Sequence, residues 1–418
     1  MSSLIISGKN KIEGDIEVQG AKNAVLPILA ATILNNGKNV IYNCPDLRDV
    51  KITIEVLKNF GCKIKKQDKI LMVDSDGING YTIPDDLMRQ MRSSIIFLGA
   101  IIARFKKAVV SMPGGCEIGN RPIDLHIKAL KQLGVDITES HGYINCEATK
   151  LHGANIHLDF PSVGATENIM LAACLAEGTT TITNAAREPE IVDLENFLNK
   201  MGAKISGSGS NVIRIDGVEK LYGVEHTIIP DRIVAATYLC CAAATGGHII
   251  LRHINPEHIN AMTAVLKEMG CTVYAEKSRL ILYAPSGRLK AIKRIVTMPY
   301  PGFPTDIQSP FMALATIADG TGVFVENIFE NRFQHVEELI RMGADIKVDG
   351  RIAVVQGVKG LSGANVIAKE LRGGAALVVA ALAAEGITKI ENVKFIDRGY
   401  ESIEKYLSAC GANIIREE

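Results

Sequence analysis

The sequence contains no tryptophan, and aromatic residues make up only 5% of its 418 residues. Its 46 basic and 46 acidic residues cancel, so no overall charge directs the protein toward nucleic acid or a membrane surface. No apolar run is long enough to span a bilayer, and residues 1–20 lack the basic and apolar regions of a signal peptide. These absences predict a soluble protein that has no nucleic acid and no membrane among its partners.

Nine cysteines are scattered without a Cys-x-x-Cys pair or the Cys/His spacing of a zinc site. Their odd number argues against a disulfide framework and favours a reducing, cytoplasmic location. The sequence has no P-loop, and Gly207 and Gly209 lack the third glycine of a dinucleotide fingerprint. We therefore expect neither a metal nor a cofactor.

What the chain does contain is one unit repeated six times. Each copy has an aliphatic helix, a short strand, a polar loop and an amphipathic helix that ends in glycine. The spacings between these glycines are 73, 68, 68, 73 and 68 residues, for Gly61, Gly134, Gly202, Gly270, Gly343 and Gly411. Such a period indicates a supersecondary element repeated along the whole chain.

The two helices of each copy differ in character. The first helix is apolar on nearly every side and is therefore predicted to be buried, at residues 24–34, 94–103, 169–176, 233–244, 310–318 and 375–384. The second helix has one apolar stripe and a charged face, which is typical of an outer helix packed against strands. Short β segments follow, so the repeat is βαβαββ and the fold class is α/β.

The sixth copy is incomplete, because only residues 412–418 follow its last glycine. Residues 4–18 resemble residues 213–227 in pattern and in both glycines, so we expect the N-terminal segment to complete the sixth repeat. The predicted domains are one lobe of residues 22–229 and a second lobe of residues 1–21 and 230–418. Two strands would join these lobes as a hinge.

Charged and polar residues collect where the buried helices begin. They are Lys22 and Asn23, Arg92 and Ser93, Thr166 and Glu167, Asp231 and Arg232, Thr305 and Asp306, and Leu371 and Arg372. Helix capping explains Asp, Ser, Thr and Asn at such positions. A cation there opposes the helix dipole, so Lys22, Arg92 and Arg372 suggest an anionic ligand. The alternative for each arginine is a solvated surface charge.

The loop of the second copy is four residues longer than the others. Thirteen residues separate Val110 from Ile123, whereas nine separate Ile41 from Val50. This glycine-rich insertion carries Cys116, with Arg121 five residues later, which is where a reactive thiol is expected. The alternative is an incidental surface cysteine. The other eight cysteines lie mostly on apolar faces and are interpreted as core residues.

Several segments resemble the UDP-N-acetylglucosamine 1-carboxyvinyltransferases, collinearly and over essentially the whole chain. The matching segments are residues 22–23, 113–122, 124–126, 162–166, 186–190, 303–306, 329–332 and 397–400. The resemblance implies a two-lobed inside-out α/β barrel, with three βαβαββ units in each lobe and buried helices directed at an interlobe cleft. It also implies transfer of the enolpyruvyl group of phosphoenolpyruvate to the 3-hydroxyl of UDP-N-acetylglucosamine, the first committed step of peptidoglycan precursor synthesis.

The resemblance also assigns roles to individual residues. Cys116 would be the general acid and form a covalent adduct with phosphoenolpyruvate, and Asp306 would take or orient the proton of the sugar hydroxyl. Lys22, Arg121 and Arg398 would hold the phosphate and carboxylate of phosphoenolpyruvate. Further substrate contacts implied by the family are Asn23, Arg92, Pro122, Ile123, Asp124, Leu125, Ser162, Val163, Gly164, Ile328, Arg332 and Arg372.

Two other interpretations stay open at this point. The first is 5-enolpyruvylshikimate-3-phosphate synthase, which shares the fold and the chemistry, although the Cys116 insertion favours the nucleotide-sugar enzyme. The second is a non-catalytic repeat scaffold that binds anions. One departure from the family is Phe160, which stands where some members have a lysine that would contact the diphosphate. His126 is interpreted as a packing residue or a ligand contact.

Overall fold

A computed structural model describes residues 2–112 and 123–418, which form two compact units. The first unit contains residues 20–112 and 123–229, and the second unit contains residues 2–19 and 230–418. The chain passes from one unit to the other after Gln19 and after Ile229. The predicted site residues Cys116, Arg121 and Pro122 lie outside the described residues.

The secondary structure follows the repeat. The second unit begins with β1 (Ser3–Ser7) and β2 (Glu13–Glu17). The strands of the first unit are β3 (Lys38–Tyr42), β4 (Lys63–Gln67), β5 (Ile70–Asp74), β6 (Thr82–Ile83), β7 (Lys107–Ser111), β8 (Asp136–Ser140), β9 (Tyr143–Glu147), β10 (Asn155–His157), β11 (Thr179–Thr183), β12 (Lys204–Ser206), β13 (Val212–Asp216) and β14 (Glu225–Thr227). Its helices are α1 (Lys22–Ala31), α2 (Arg48–Asn59), α3 (Asp85–Gln90), α4 (Phe97–Phe105), α5 (Asp124–Gln132), α6 (Val163–Ala173) and α7 (Pro189–Lys200).

The remaining elements belong to the second unit. Its strands continue with β15 (His248–Arg252), β16 (Thr272–Glu276), β17 (Arg279–Tyr283), β18 (Arg294–Val296), β19 (Thr321–Val325), β20 (Asp345–Asp349), β21 (Ile352–Gln356), β22 (Asn365–Ile367), β23 (Ile387–Glu391) and β24 (Asn413–Glu417). Its helices are α8 (Arg232–Thr245), α9 (Asn260–Glu268), α10 (Thr305–Ile317), α11 (Val336–Arg341), α12 (Leu371–Ala383) and α13 (Ile403–Ala409). Short 3-10 helices lie at Thr32–Leu34, Arg92–Ile96, Pro256–Ile259 and Val393–Arg398.

The described strands form six four-stranded sheets, three in each unit. In the first unit their orders are β14-β3-β5-β4, β6-β7-β9-β8 and β10-β11-β13-β12. In the second they are β16-β17-β15-β2, β18-β19-β21-β20 and β22-β23-β1-β24. Each sheet has one parallel pair, between the strand that follows a buried helix and a strand that the preceding repeat contributes. Because β14 pairs with β3, the three repeats of the first unit close into a ring.

The N-terminal segment joins the end of the chain, as the incomplete sixth repeat predicts. Strand β1 lies between β23 and β24 and is antiparallel to both. Strand β2 pairs with β15 of the fourth repeat, just as β14 pairs with β3 of the first repeat. The predicted correspondence between residues 4–18 and residues 213–227 is therefore confirmed. The connection from β1 to β2 passes to the next sheet, as does the connection from β13 to β14.

The glycines shared by these two connections have a steric explanation. A side-chain carbon on Gly8 would lie 2.1 Å from the Ala384 carbonyl oxygen, and one on Gly217 would lie 1.6 Å from the Ala176 carbonyl oxygen. Both carbonyls lie just beyond the end of a buried helix. Glycine therefore lets the crossing strand approach the helix end closely.

Helices α1, α4, α6, α8, α10 and α12 are the six buried helices. Helix α4 packs against α1 and α6 in the first unit, and α8, α10 and α12 pack against one another in the second. Five of them begin one to six residues before the predicted apolar runs, because their first turns carry polar residues, whereas α4 begins at Phe97, within its predicted run. The first turns of these helices are therefore the places where polar groups meet the core.

Each of the six repeated glycines comes after an outer helix and has a left-handed backbone conformation, with φ between 91° and 102°. Glycine is the usual residue where a helix ends in this conformation. Each unit has its own hydrophobic core. The eight described cysteines are buried, as predicted, and form no disulfide bonds. Within residues 2–112 and 123–418, no helix has the length and apolar character needed to cross a membrane.

Candidate active site

Asp306 lies in the first turn of α10, where two arginines hold its carboxylate. Oδ1 accepts a hydrogen bond from Arg332 Nη2 at 2.9 Å, and Oδ2 accepts one from Arg372 Nη2 at 3.1 Å. The helix cap position is Pro304, so Asp306 is not the cap residue of this helix. Its side chain is 27% exposed, which leaves a carboxylate that is fixed on two sides and still accessible.

The two arginines are almost completely buried, at 2% exposure each. Burial alone would lower the pKa of Arg372, but the Asp306 carboxylate and the Tyr400 hydroxyl raise it above its ordinary value. Arg372 therefore stays protonated. In the part of the chain that the structure describes, the Nε atoms of Arg332 and Arg372 have no hydrogen-bond partner. The sequence predicted an anionic ligand beside Arg372, whereas in the structure the Asp306 carboxylate contacts this arginine.

Glu370 caps α12 and was not foreseen from the sequence. Its carboxylate accepts hydrogen bonds from the backbone N–H groups of Arg372, at 2.7 Å, and of Gly373. Arg332 Nη1 lies 3.7 Å from Glu370 Oε2, so Arg332 faces two carboxylates. An acidic residue directly before a helix start is a capping signal, which could have identified Glu370.

His335 packs against the same region as a neutral group. Burial and the positive charge of Arg332 lower the pKa of His335 to about 3, although the Arg332 carbonyl raises it slightly. The imidazole therefore adds no third positive charge beside Asp306. A side-chain carbon on Gly373 would lie 2.8 Å from the His335 Cβ, so the start of α12 and this histidine are in close contact.

Glu326 organises the loop that carries Ile328. Its Oε1 accepts hydrogen bonds from Ile328 N at 2.8 Å and Phe329 N at 3.1 Å, and its Oε2 accepts one from the Thr305 hydroxyl at 3.0 Å. Glu326 is 1% exposed. The predicted contact Ile328 is thus tied to the first residue of α10 and lies near Asp306 in the same unit.

Arg398 ends the 3-10 helix Val393–Arg398, two residues before Tyr400, and is half-buried. The preceding residue, Asp397, forms a double hydrogen bond with Arg416, at 2.7 and 2.9 Å. Since Asp397 fixes the end of this helix to β24, Arg398 stands on an anchored segment. Two residues later, the Tyr400 hydroxyl contacts Arg372.

In the first unit, Lys22 is the first residue of α1 and is buried. Its Nζ lies 2.7 Å from Oδ2 of Asp49, a residue of α2 that is completely buried. The cation that opposes the dipole of α1 is therefore balanced by a protein carboxylate, which sequence reasoning missed. Asn23 follows and is half-buried. Arg92 is the first residue of the 3-10 helix that precedes α4.

Helix α6 begins with the predicted nucleotide-sugar contacts. Ser162 is the cap residue, and its hydroxyl oxygen accepts a hydrogen bond from Ala165 N at 3.3 Å. Val163 and Gly164 are the first two residues of the helix, where backbone N–H groups have no partner within the helix and favour anions. Asp124 starts α5, with Ile123 and Leu125 half-buried on either side of it. Phe160 is 43% exposed.

His126 is held beside the start of α6 by an asparagine. Asn168 Oδ1 accepts a hydrogen bond from Gly99 N at 2.6 Å, and its Nδ2 donates to the Ile95 carbonyl at 3.1 Å. Nδ2 also lies 2.8 Å from His126 Nδ1. Since that nitrogen can only donate, His126 Nδ1 accepts, and the ring proton is on Nε2. A side-chain carbon on Gly164 would lie 3.4 Å from this Nε2.

Thr166 and Glu167 do not lie at a helix start, contrary to the sequence prediction. Because α6 begins at Val163, they occupy its second turn. The Thr166 hydroxyl donates to the Ser162 carbonyl at 2.8 Å and accepts from Ala186 N at 3.1 Å. Burial, together with the charges of Glu190 and Glu188, raises the pKa of Glu167 well above its ordinary value.

The candidate site residues form two groups, one in each unit. The described residues contain no cluster of three or more His, Cys, Asp and Glu side chains that could hold a metal ion. The chemistry available is a fixed carboxylate with two guanidinium groups in the second unit. In the first unit the available groups are the buried ion pair of Lys22 and Asp49 and the backbone N–H groups at the start of α6.

Comparisons with known proteins show which family the chain belongs to. The sequence matches the family of EPSP synthase (3-phosphoshikimate 1-carboxyvinyltransferase) over residues 6–407. It is 56% identical over 416 residues to UDP-N-acetylglucosamine 1-carboxyvinyltransferase 2 of Caldanaerobacter subterraneus subsp. tengcongensis, with 100% of both chains covered. It is 53% identical to UDP-N-acetylglucosamine 1-carboxyvinyltransferase 1 of Symbiobacterium thermophilum, with 99% of this chain and 94% of that protein covered.

Solved structures show the same fold. The enolpyruvyl transferase NikO from Streptomyces tendae superimposes with a TM-score of 0.89 at 24% identity, with 99% of this chain and 98% of that chain covered. EPSP synthase from Acinetobacter baumannii superimposes with a TM-score of 0.76 at 18% identity over the full length of both chains. The predicted α/β class with six small sheets is confirmed. The chain belongs to the enolpyruvyl transferase family of EPSP synthase, and within it to the UDP-N-acetylglucosamine 1-carboxyvinyltransferases.

Proposed function

We propose that the protein transfers the enolpyruvyl group of phosphoenolpyruvate to the 3-hydroxyl of UDP-N-acetylglucosamine and releases phosphate. The names of its full-length relatives support this activity. The observation that carries the chemistry is Asp306, a partly exposed carboxylate that Arg332 and Arg372 fix in place. The product would be an early precursor of peptidoglycan.

The reaction needs an acid, a base and cations. In our proposal Cys116 donates a proton to the methylene carbon of phosphoenolpyruvate, and the sugar oxygen then forms a bond to C2. Asp306 accepts the proton of the 3-hydroxyl. The methyl group next returns a proton to the Cys116 thiolate, the bond from C2 to the phosphate oxygen breaks, and phosphate leaves with that electron pair. Asp306 suits its part because two guanidinium groups stabilise its negative charge.

The cations have distinct roles in this proposal. Lys22, Arg121 and Arg398 hold the phosphate and carboxylate of phosphoenolpyruvate, with Arg92 beside them. Asp49 supports Lys22 by holding its ammonium group at the start of α1. Arg372 and Arg332 serve Asp306 directly, because their Nη2 atoms contact its two oxygens. In this assignment Arg372 supports the base Asp306, whereas the sequence had assigned it to substrate binding.

We place the diphosphate of UDP-N-acetylglucosamine at the start of α6, beside Ser162, Val163 and Gly164. The cap at Ser162 leaves the N–H groups of the first turn directed out of the helix end, and His126 Nε2 lies against Gly164. Ile123, Asp124, Leu125 and Ile328 are the remaining described contacts, together with Asn23 at the sugar. Phe160 supplies no charge, so we expect backbone donors to carry more of the diphosphate binding than in members with lysine.

The test is phosphate release from phosphoenolpyruvate with two acceptors compared in parallel. We expect turnover with UDP-N-acetylglucosamine and none above background with shikimate 3-phosphate. The reverse pattern would establish the 5-enolpyruvylshikimate-3-phosphate synthase alternative, which the relatives' names do not support. If the protein binds phosphoenolpyruvate in calorimetry but releases no phosphate with either acceptor, the non-catalytic scaffold is the interpretation that remains.

The role of Cys116 has its own test. An epoxide phosphonate such as fosfomycin is expected to alkylate Cys116 and abolish turnover, because the described thiols are buried and protonated. Burial raises the pKa of Cys62, Cys146 and Cys174 to about 12. Peptide mass spectrometry locates the label. A label on another cysteine, or full activity after Cys116 is labelled, would contradict the assignment.

We also propose a cytoplasmic location. The eight described cysteines form no disulfide bonds, which is typical of a protein kept in a reducing compartment. The substrates are small molecules, and the proposal requires no macromolecular partner.

A further inference from the structure

Arg372 holds Asp306 with one end of its guanidinium group and a tyrosine with the other. Nη2 lies 3.1 Å from Asp306 Oδ2, and Nη1 lies 3.4 Å from the Tyr400 hydroxyl oxygen. The side chain of Arg372 is 3% exposed and that of Tyr400 is buried. The orientation of Arg372 toward the carboxylate is therefore set partly by the tyrosine behind it.

The hydrogen bonds behind Arg372 run in one direction. A guanidinium group only donates, so the Tyr400 oxygen accepts from Nη1. The Tyr400 oxygen also lies 2.9 Å from Thr237 Oγ1. The single hydroxyl proton of Thr237 goes to the Ile233 carbonyl at 3.0 Å, one turn earlier in α8. Tyr400 must then donate to Thr237. The chain runs from Arg372 through two hydroxyl groups to a helix carbonyl.

The backbone around Tyr400 is fixed as well. Gln19 Nε2 donates to the Gly399 carbonyl at 3.2 Å, and Gln19 Oε1 accepts from Glu401 N at 2.9 Å. One side chain thus holds the residues before and after Tyr400. A side-chain carbon on Gly399 would lie 3.0 Å from the Leu371 side chain and 3.4 Å from Arg372 Nη1, so glycine lets this segment pack closely against the start of α12.

Burial also keeps the tyrosine a donor. It raises the pKa of Tyr400, although the positive charge of Arg372 partly offsets this rise. The phenol therefore carries its proton at neutral pH. The three groups come from α12, α8 and the segment after the 3-10 helix Val393–Arg398, so packing of separate elements builds the chain.

We propose that Thr237 and Tyr400 are positioning residues for Asp306, because they orient Arg372 so that Nη2 holds one carboxylate oxygen. Arg332 and Arg372 hold different oxygens of the Asp306 carboxylate, so a change in the orientation of Arg372 would weaken the hold on Oδ2. With both oxygens held, the remaining lone pairs keep one direction for accepting the substrate proton. The inference rests on the proposed role of Asp306 as proton acceptor.

The decisive comparison is Thr237→Val against Thr237→Ser. Valine has nearly the same shape and removes the acceptor for Tyr400, whereas serine keeps it. We expect the valine variant to lose about tenfold in kcat, with both KM values within about twofold, and the serine variant to stay near the parent. The acidic limb of the kcat profile of the valine variant should move to higher pH, because the carboxylate is held less well.

Two matched controls separate positioning from general loss of structure. Tyr238→Phe alters the adjacent buried tyrosine, whose hydroxyl has no hydrogen-bond partner within residues 2–112 and 123–418. Thr316→Val alters a buried helical threonine whose hydroxyl donates to Ala313 O at 2.6 Å. Both controls are expected to keep kcat within about twofold, since neither side chain contacts Arg372. Melting temperatures are recorded for every variant.

Tyr400→Phe provides a second route if Thr237→Val does not fold, and we expect the same loss in kcat and the same pH shift. Unchanged kcat and pH profile in the folded variants would overturn the proposal. Equal losses in the valine and serine variants would also overturn it. Asp306→Asn distinguishes the two levels of inference. If it keeps turnover, the proposed role of Asp306 fails. If it is inactive while Thr237→Val is normal, only the positioning role fails.

Discussion

The buried helices α6 and α10 carry the same pair of residue types, a threonine followed by an acid, yet the two acids have opposite surroundings. Glu167 of α6 faces the acidic residues Glu190 and Glu188, and burial favours its neutral form. Asp306 of α10 contacts the guanidinium groups of Arg332 and Arg372. A threonine followed by an acid therefore yields a buried group whose neutral form is favoured in one unit and a fixed carboxylate in the other.

The helix start explains part of this difference. Helix α10 begins at Thr305, so Asp306 lies in its exposed first turn, whereas α6 begins three residues before Thr166 and carries Glu167 inward. The neighbouring loops explain the rest. The loop after β19 brings Arg332 to α10, whereas Glu188, at the end of the loop after β11, and Glu190, in the first turn of α7, lie beside α6. Chemistry at these helices thus depends on which loop meets the first turn.

The largest expected effect comes from neutralising each acid in turn. Asp306→Asn should lower kcat about a thousandfold, because an amide cannot accept the proton of the sugar hydroxyl. Glu167→Gln should leave kcat within about twofold, since Glu167 is buried beside other acids. Phosphate release under saturating substrates measures both. A drop in kcat for Glu167→Gln as large as that for Asp306→Asn would end the distinction between the two helices.

The sequence predicted the scaffold well because local sequence features define the repeat. The six glycines that follow the outer helices all have positive φ, and the incomplete last repeat correctly indicated that β1 joins β23 and β24. The pairing of β2 with β15 was not itself predicted, since an alternating strand pattern does not say which neighbouring sheet receives the strand.

The surroundings of the site were harder to predict than its members. Asp306 and Lys22 were identified from their positions and from the family resemblance. Asp49, Glu326 and Glu370 were not identified. Asp49 and Glu326 act through partners distant in sequence, and Glu370 caps a helix that starts earlier than its apolar run. Apolar periodicity marks the buried part of a helix, and the polar first turn lies outside that pattern.

The pair at the start of α1 tests whether cations there serve structure or substrate. Lys22→Met leaves Asp49 buried without its ammonium partner, so we expect a loss of about 3 kcal/mol in stability. It should also raise the KM for phosphoenolpyruvate about tenfold, as expected for the loss of one charge-assisted contact of about 1.4 kcal/mol. Denaturant unfolding and steady-state kinetics measure the two effects.

The double variant Lys22→Met with Asp49→Leu separates these roles. Replacing both charges with apolar groups should recover most of the stability while the KM for phosphoenolpyruvate stays high. If KM also returns to the parent value, Lys22 has only a structural role. The start of α1 would then differ from α12, where Arg372 is paired with the proposed base.

The smallest effect concerns the pH dependence of stability and isolates Glu167. Its pKa is raised in the folded protein, so below about pH 4.5 both the folded and the unfolded chain hold the proton. As the pH rises above that value, the unfolded chain releases the proton first, and the free energy of unfolding falls until the folded pKa is passed. Glu167→Gln removes this loss, so its melting temperature relative to the parent should be higher at pH 8 than at pH 5. Parallel melting curves across that range would show that Glu167 is already ionised in the fold, and the contrast with Asp306 would then rest on the arginines alone.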